Sequence, residues 1–145
     1  MTPEAPLPTP PTGSGPAAAD PDEQFAVEVR PREGVVVLLL SGELDHDTVG
    51  PLRAALDTAL TGARPRLVVD CAGLRFCDST GLNALLRARL AAEAAGGRLE
   101  VSGLPPVVRR LFRLTGADEV FAVHPDLESA LATRPADSGG SRDAE

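Results

Sequence analysis

Three small polar residues in a row, Asp78, Ser79 and Thr80, separate an apolar run from a helical pattern in RLVVDCAGLRFCDSTGLNALLRARL, residues 66–90. A serine at such a junction could cap the helix, act as a nucleophile or carry a regulatory phosphate. Capping alone does not explain the run, because one helix end uses fewer side chains of this kind. Gly81 is a poor helix former in the first turn, which indicates that another group approaches closely there.

A catalytic serine would need a base, and the chain offers only His46 and His124. The order strand, Ser79, helix, with a glycine two residues later, resembles half of the G-x-S-x-G nucleophile elbow, but Cys77 stands where the first glycine would be. His46 lies between two aspartates in a polar loop, where a histidine is more often simply solvated. A serine hydrolase is therefore the remote alternative, and we predict no enzyme activity.

Cofactor and metal sites have little support in the sequence. Asp45, Asp47 and Asp78 could approach one another, but nothing in their spacing fixes the coordination of a hard cation, and no phosphate-binding glycine motif follows a strand. Two cysteines alone, Cys71 and Cys77, do not make a zinc site. Since no export signal accompanies them, we expect two small, partly buried thiols and no disulfide. We predict no cofactor and no metal.

The composition argues against several classes of function. The net charge is -7 and all 14 basic residues are arginine, which disfavours a broad basic surface for nucleic acid and excludes lysine chemistry. No segment approaches the roughly 20 apolar residues that a membrane span needs, and the first residues lack the pattern of a signal peptide. We expect a cytoplasmic protein with no membrane span and no direct contact with nucleic acid.

Changes of composition along the chain predict one domain between two polar flanks. Pro, Ala, Thr and Gly dominate residues 1–22, and residues 134–145 are again polar, so we predict a disordered leader, a domain over residues 23–133 and a flexible tail. Strands are predicted for QFAVEVR, GVVVLLLSG, RLVVDC, RLEVSG and EVFAV, and helices for PLRAALDTAL, residues 79–95, PVVRRLFRLT and PDLESALA. This alternation is typical of a single small α/β domain with a mostly parallel sheet, an antiparallel N-terminal edge strand and about four helices.

The same patterns predict helix caps and helix faces. We expect Asp47 or Thr48 to cap the first helix and Asp126 to cap the last. The predicted core positions of the second and third helices are Leu82, Leu85, Leu86, Leu90, Val107, Val108, Leu111 and Leu114. If the strands before the two polar loops are parallel neighbours, their carboxyl ends place Asp45 and Ser79 on one face.

Three segments resemble the signature regions of the STAS domain found in bacterial anti-sigma factor antagonists: SGELDHDTVGPLRAAL, LVVDCAGLRFCDSTGLNALL and GRLEVSGLPPVVRRLFRLTGADEVF. The resemblance covers roughly residues 25–132, and D-S-[ST]-G-L after an apolar strand is its most specific element. It implies a partner switch, in which the unphosphorylated protein binds an anti-sigma factor with a serine-kinase ATPase fold and releases the sigma factor. The kinase phosphorylates the serine that matches Ser79, which switches binding off, and a PP2C-type phosphatase removes the phosphate.

The resemblance and the strand ends together predict a partner-binding surface. Its residues are Asp45, His46, Asp78, Ser79, Thr80, Gly81 and Asn83. Asn83 departs from the pattern of many relatives, which carry a small residue there, and we expect it to affect partner choice. Other proteins of this fold are non-phosphorylated interaction subunits of signalling or lipid-transport complexes, which is the main alternative; the intact Asp78-Ser79-Thr80-Gly81 favours the phosphorylation switch.

Overall fold

The computed structural model describes residues 24–133, so the predicted leader and tail lie outside the described part. The strands are β1 (Phe25–Arg32), β2 (Val35–Leu44), β3 (Arg66–Cys77), β4 (Arg98–Ser102) and β5 (Ala122–His124). The helices are α1 (Val49–Ala59), α2 (Ser79–Ala94), α3 (Pro106–Thr115), α4 (Ala117–Val120) and α5 (Leu127–Ala132). The order is the predicted one, with the short helix α4 added.

The described strands form one five-stranded sheet in the order β1-β2-β3-β4-β5. β1 pairs with β2 in antiparallel fashion, and each later pair of neighbours is parallel. This confirms the predicted small α/β domain with its antiparallel edge strand. Within residues 24–133, no helix has both the length and the apolar character needed to cross a bilayer.

Most helices cover one face of the sheet. Because successive side chains of a strand point to opposite faces, Leu67 and Val69 of β3 join the main core beneath α1 to α4, whereas Val68 points the other way. On that other face Val68 packs with Val35 and with Ala130 of α5. We call this second surface the α5 face, and it holds a much smaller apolar cluster than the first.

Three positions that the helical spacing predicts as core are instead on the surface, with exposed fractions of 60% for Leu90, 50% for Val107 and 73% for Leu114. The inner side of α2 is completed by Ala88 and Ala92, whose small side chains let the helix lie close to the sheet. In α3 the buried residues are Val108, as predicted, and Phe112, which the prediction did not include.

The segment EVFAV is only partly a strand. Glu119 and Val120 belong to α4, and β5 begins at Ala122, so the predicted five-residue strand is wrong at its start. Gly116 ends α3 with a φ of +81°, a left-handed conformation that lets the chain begin another helical turn at once. Phe121 then enters the core, with its ring centroid 5.5 Å from that of Phe112. Phe121 is therefore the residue of this segment that is buried, and it lies between α4 and β5.

Candidate functional site

β2 and β3 are parallel neighbours, and they end at the same edge of the sheet. This is the arrangement under which Asp45 and Ser79 were predicted to lie on one face. Leu44 and Cys77 are register partners at this edge. One step further, the backbone N–H of Asp78 donates to the carbonyl oxygen of Leu44 at 3.1 Å. The two polar loops are thus joined through their backbones. We call the surface formed by residues 43–48 and 78–80 the rim.

The loop after β2 is held in shape by Asp45 and Thr48. The Oδ1 atom of Asp45 accepts from the backbone N–H groups of Asp47 at 2.9 Å and Thr48 at 3.1 Å. The Thr48 hydroxyl donates to the carbonyl oxygen of Glu43 at 2.8 Å. Thr48, one of the two residues predicted to cap α1, does occupy its N-cap position, but its side chain makes no capping hydrogen bond. Asp45 binds the turn before the helix instead.

In the loop after β3, the residue that caps the next helix is not Ser79 but the residue before it. Asp78 is the N-cap of α2, and its Oδ1 accepts from the backbone N–H of Gly81 at 3.1 Å. Ser79 is the first residue of the helix and is exposed. Within residues 24–133, the Ser79 hydroxyl makes no hydrogen bond. Because Asp78 caps the helix, Ser79 is left free to react or to bind.

Gly81 is buried, and its close neighbour comes from inside the domain. A Cβ atom at Gly81 would lie 2.6 Å from Cγ of Leu44 and 3.1 Å from Sγ of Cys77. The glycine therefore lets the start of α2 pack directly on the end of β2. Its predicted direct contact with a partner stays a prediction, although Gly81, unlike Ser79, has little surface to offer.

The predicted contact residues differ in exposure. Ser79 lines a shallow, open depression together with Thr80, Leu82, Asn83 and Leu86 on the outer side of α2. Asn83 is exposed there, whereas Thr80 is half-buried. Leu82 is buried, and the half-buried Leu86 adds apolar surface, so a partner could contact polar and apolar groups beside the serine.

Neither histidine serves Ser79 in the described part of the chain. The His46 side chain is 74% exposed and lies 3.3 Å from Oδ1 of Asp47, as a solvated loop residue would. His124 contacts Oε1 of Glu100 at 2.8 Å, on the α5 face. The serine hydrolase alternative therefore lacks the contact between nucleophile and base on which it depends.

The two cysteines are free and buried, in agreement with the sequence prediction. Burial raises the pKa of the Cys77 thiol to about 12, with a smaller contribution from the charge of Asp78. Burial likewise raises the pKa of Cys71 far above its ordinary value. Both remain protonated near neutral pH and are poor nucleophiles. Among the described residues, no group of three or more His, Cys, Asp and Glu side chains is arranged to hold a metal ion.

A buried ion cluster on the α5 face was missed by the sequence reasoning. Glu100 is 1% exposed and lies within 3 Å of three basic side chains: Arg66 at 2.9 Å, Arg98 at 2.8 Å and His124 at 2.8 Å. Nη2 of Arg66 also donates to the carbonyl oxygens of Ala130 at 3.0 Å and Thr133 at 2.9 Å, which fastens the end of α5 to the sheet. A glutamate in the middle of the buried strand RLEVS was the signal that could have revealed it.

Electrostatics keep this glutamate charged. Burial by itself would raise the pKa of Glu100, but the hydrogen bonds and charge of Arg66 oppose it. With the hydrogen bond from His124 and the charge of Arg98 added, the pKa lies below its ordinary value. The cluster is fully engaged within the domain, so we assign it to stability and leave the rim as the candidate site.

Comparison with known proteins adds independent information. Residues 27–127 match the family model described as "Mlab, STAS domain". An anti-sigma F factor antagonist of Paenibacillus polymyxa is 30% identical over 106 residues, which cover 72% of this chain and 91% of that protein.

Solved structures agree with this match. A crystal structure of an anti-sigma factor antagonist from Mycobacterium paratuberculosis superposes with a TM-score of 0.70 at 31% identity, covering 79% of this chain and 97% of that one. The anti-sigma factor antagonist SpoIIAA in its unphosphorylated form gives 0.64 at 30% identity, covering 73% and 93%. The phosphorylated form of SpoIIAA, a Bacillus cell fate determinant, gives 0.61 at 29% identity, covering 74% and 97%.

Proposed function

The chain belongs to the STAS domain family, and from that premise we propose that it is a cytoplasmic anti-sigma factor antagonist controlled by phosphorylation of Ser79. In the unphosphorylated state it binds an anti-sigma factor that has a serine-kinase ATPase fold, and the sigma factor is released. Phosphorylation ends this binding, and a PP2C-type phosphatase restores it. Relatives named as anti-sigma factor antagonists, one of them solved with and without phosphate, support the proposal.

The observation that carries the proposal is that the Ser79 side chain is exposed and makes no hydrogen bond within residues 24–133. It is exposed at the first position of α2, and Asp78 meets the capping requirement of that helix. A kinase can therefore reach the Ser79 hydroxyl without breaking a hydrogen bond of the described domain. The γ-phosphoryl group of ATP would pass to Oγ, with a new P–O bond formed, the bond to ADP broken and the hydroxyl proton taken up by a base on the kinase.

The phosphate would change the surface more than the fold. It adds about -1.5 to -2 charges at the N-terminus of a helix, where the helix dipole favours an anion. Asp78 is next to it, and Asp45 lies in the loop that the backbone bond joins to Asp78. In the unphosphorylated state, the partner would offer Arg or Lys side chains to these aspartates. A phosphate on Ser79 would obstruct the partner sterically and displace those contacts.

The proposed contact surface consists of the rim and the outer side of α2. Asp45 and Asp78 supply charge, His46 and Asn83 supply exposed polar groups, and Thr80 borders the depression. Charge complementarity of this kind speeds association, so we expect faster binding at low salt. The direct role of Gly81 would be to keep the two rim loops in contact rather than to offer a side chain.

Purified anti-sigma factor kinases of the source organism, each supplied with ATP, test the proposal directly. We expect one of them to add a single phosphate that mass spectrometry places on Ser79. Ser79→Ala should bind that kinase as the parent does but accept no phosphate, whereas Ser79→Asp should bind at least about tenfold more weakly. Thr80→Ala is the matched control and should behave as the parent.

Two results would overturn the proposal. One is phosphate on Thr80 or elsewhere with Ser79 untouched. The other is unchanged binding by Ser79→Asp with no kinase able to modify the protein, which would favour the non-phosphorylated interaction subunit of a signalling or lipid-transport complex. Ester hydrolysis lost in both Ser79→Ala and His46→Ala would favour the remote serine hydrolase.

A further inference from the structure

Phe76 is an exposed aromatic side chain beside the rim. The sequence has four Phe and no Trp or Tyr, and all four lie in the described part of the chain. Phe112 and Phe121 are buried at 0% and 5% exposure and Phe25 is half-buried, whereas Phe76 is 43% exposed. Leaving a large apolar side chain in water forgoes the stabilisation that its burial would provide.

The course of β3 explains why the core does not take up this ring. Leu74 and Cys77 both belong to the main core although they are three residues apart, because the register shifts between them: Gly42 pairs with Leu74 and the next residue, Glu43, pairs with Phe76. Phe76 directly precedes Cys77, and successive side chains of a strand point to opposite faces, so Phe76 points away from that core. Its register partner on β2 is Glu43, which is also exposed. Phe76 thus stands beside a carboxylate at the edge of the rim, three residues before Ser79.

Acidic residues close to Phe76 in strand register and in sequence indicate what could cover it. Glu43, Asp45 and Asp47 lie in the loop segment that begins at the register partner of Phe76, and Asp78 follows two residues after the ring. Arg75 is the one basic residue next to it in the chain. A partner that covers Phe76 must therefore have an apolar pocket bordered mainly by cationic groups. A protein that binds Asp45 and Asp78 is expected to have cationic groups for the same reason.

We propose that Phe76 is an apolar anchor of the interface with the anti-sigma factor and inserts into a pocket bordered by Arg or Lys side chains. This inference rests on the proposed function, because it takes the same partner and extends the contact surface across the end of β3. Aromatic residues that fill a pocket within a polar border contribute most to binding at protein interfaces. The rim would then supply orientation and rate of association, and Phe76 most of the affinity.

Binding of the cognate kinase by three proteins tests this assignment. We expect Phe76→Ala to bind roughly ten- to a hundredfold more weakly than the parent. Val29→Ala is the matched control, since Val29 is 47% exposed on β1 and lies outside the rim; it should bind within about twofold of the parent. Thermal unfolding of each variant checks that the fold is intact.

A measurement on the unaltered sequence covers the case in which Phe76→Ala does not fold. Four fluorine signals are expected when phenylalanine is replaced by fluorophenylalanine, and the signal from Phe76 is the one most sensitive to solvent. Addition of the kinase should shift that signal and protect it from solvent. Equal binding by Phe76→Ala and the parent, or a Phe76 signal that stays solvent-exposed in the complex, would overturn the anchor alone. Failure of the parent to bind any anti-sigma factor would overturn the proposed function and the anchor with it.

Discussion

The rim and the buried ion cluster both collect charged side chains on the same sheet, but they use them in opposite ways. In the cluster, Glu100 is enclosed by Arg66, Arg98 and His124, and Arg66 also binds carbonyl groups at the end of α5. At the rim, the side chains of Asp45 and Asp78 bind only backbone and side-chain groups of their own loops, and Ser79 binds nothing in the described domain.

The difference separates charges that hold the domain together from charges that are available to another molecule. A buried ion is costly unless its partners are in place, so each member of the cluster depends on the others. An exposed polar group costs the domain little, so it can change its chemical state without unfolding the protein. This contrast agrees with the proposed phosphorylation of Ser79 at the rim, and four predictions test it.

Loss of Arg66 should have the largest effect. Arg66→Met removes the main partner of Glu100 and the two bonds to the end of α5, and leaves a buried carboxylate short of charge compensation. Breaking a buried pair of this kind costs about 3–5 kcal/mol of folding free energy. Urea unfolding followed by circular dichroism measures it. A loss below about 1 kcal/mol would show that the cluster is not a stabilising element.

Gly81→Ala should be the next most damaging change, because the new Cβ atom would lie 2.6 Å from Cγ of Leu44. Overpacking of this kind costs roughly 1–3 kcal/mol. Gly50→Ala is the matched control in α1, where a Cβ meets nothing within 4 Å, and it should be neutral or stabilising. Urea unfolding of both variants makes the comparison; equal stability would contradict tight packing at the loop junction.

Low pH should reduce the contribution of the buried ion cluster to the free energy of unfolding, with little effect through the rim residues. The pKa of Glu100 is lowered on folding from an ordinary value of 4.5, so its contribution to stability is fully present above that value and is lost as pH falls through the lower, folded value. Unfolding free energies measured from pH 6 to pH 3 should fall more steeply for the parent than for Glu100→Gln. Parallel curves for the two proteins would contradict this assignment.

Rim substitutions should have the smallest effect on stability. His46→Ala and Ser79→Asp alter exposed side chains that do not cap a helix, so each should change the folding free energy by no more than about 0.5 kcal/mol. Thermal unfolding provides the measurement. A clear loss of stability in Ser79→Asp would mean that phosphate acts by disturbing the fold rather than by changing the surface.

Sequence patterns were sufficient for the order of elements and for the place of Ser79, since buried strands and amphipathic helices have different periods. They did not reveal the ion cluster, because Arg66 and Glu100 are separated by 34 positions and meet only through strand pairing. They also misplaced Leu114 and Leu90, because spacing identifies a helix but not how much of its apolar stripe the sheet can cover. Gly81 was noticed from its type, but its neighbour Leu44 required the packed structure.

The backbone bond between Asp78 and Leu44 has a consequence for engineering signalling circuits. Two switches can operate in one cell only if each antagonist ignores the kinase of the other, which depends on the combined shape of both rim loops. The two rim loops are held together by this main-chain hydrogen bond and by the packing of Gly81 on Leu44. Most exposed side chains of the loops can therefore be changed without breaking the connection. Under the proposed function, we therefore expect residues 43–48 and 76–86 to be exchangeable between homologous proteins as one unit. Either segment moved alone would lie against a neighbouring loop to which it is not matched.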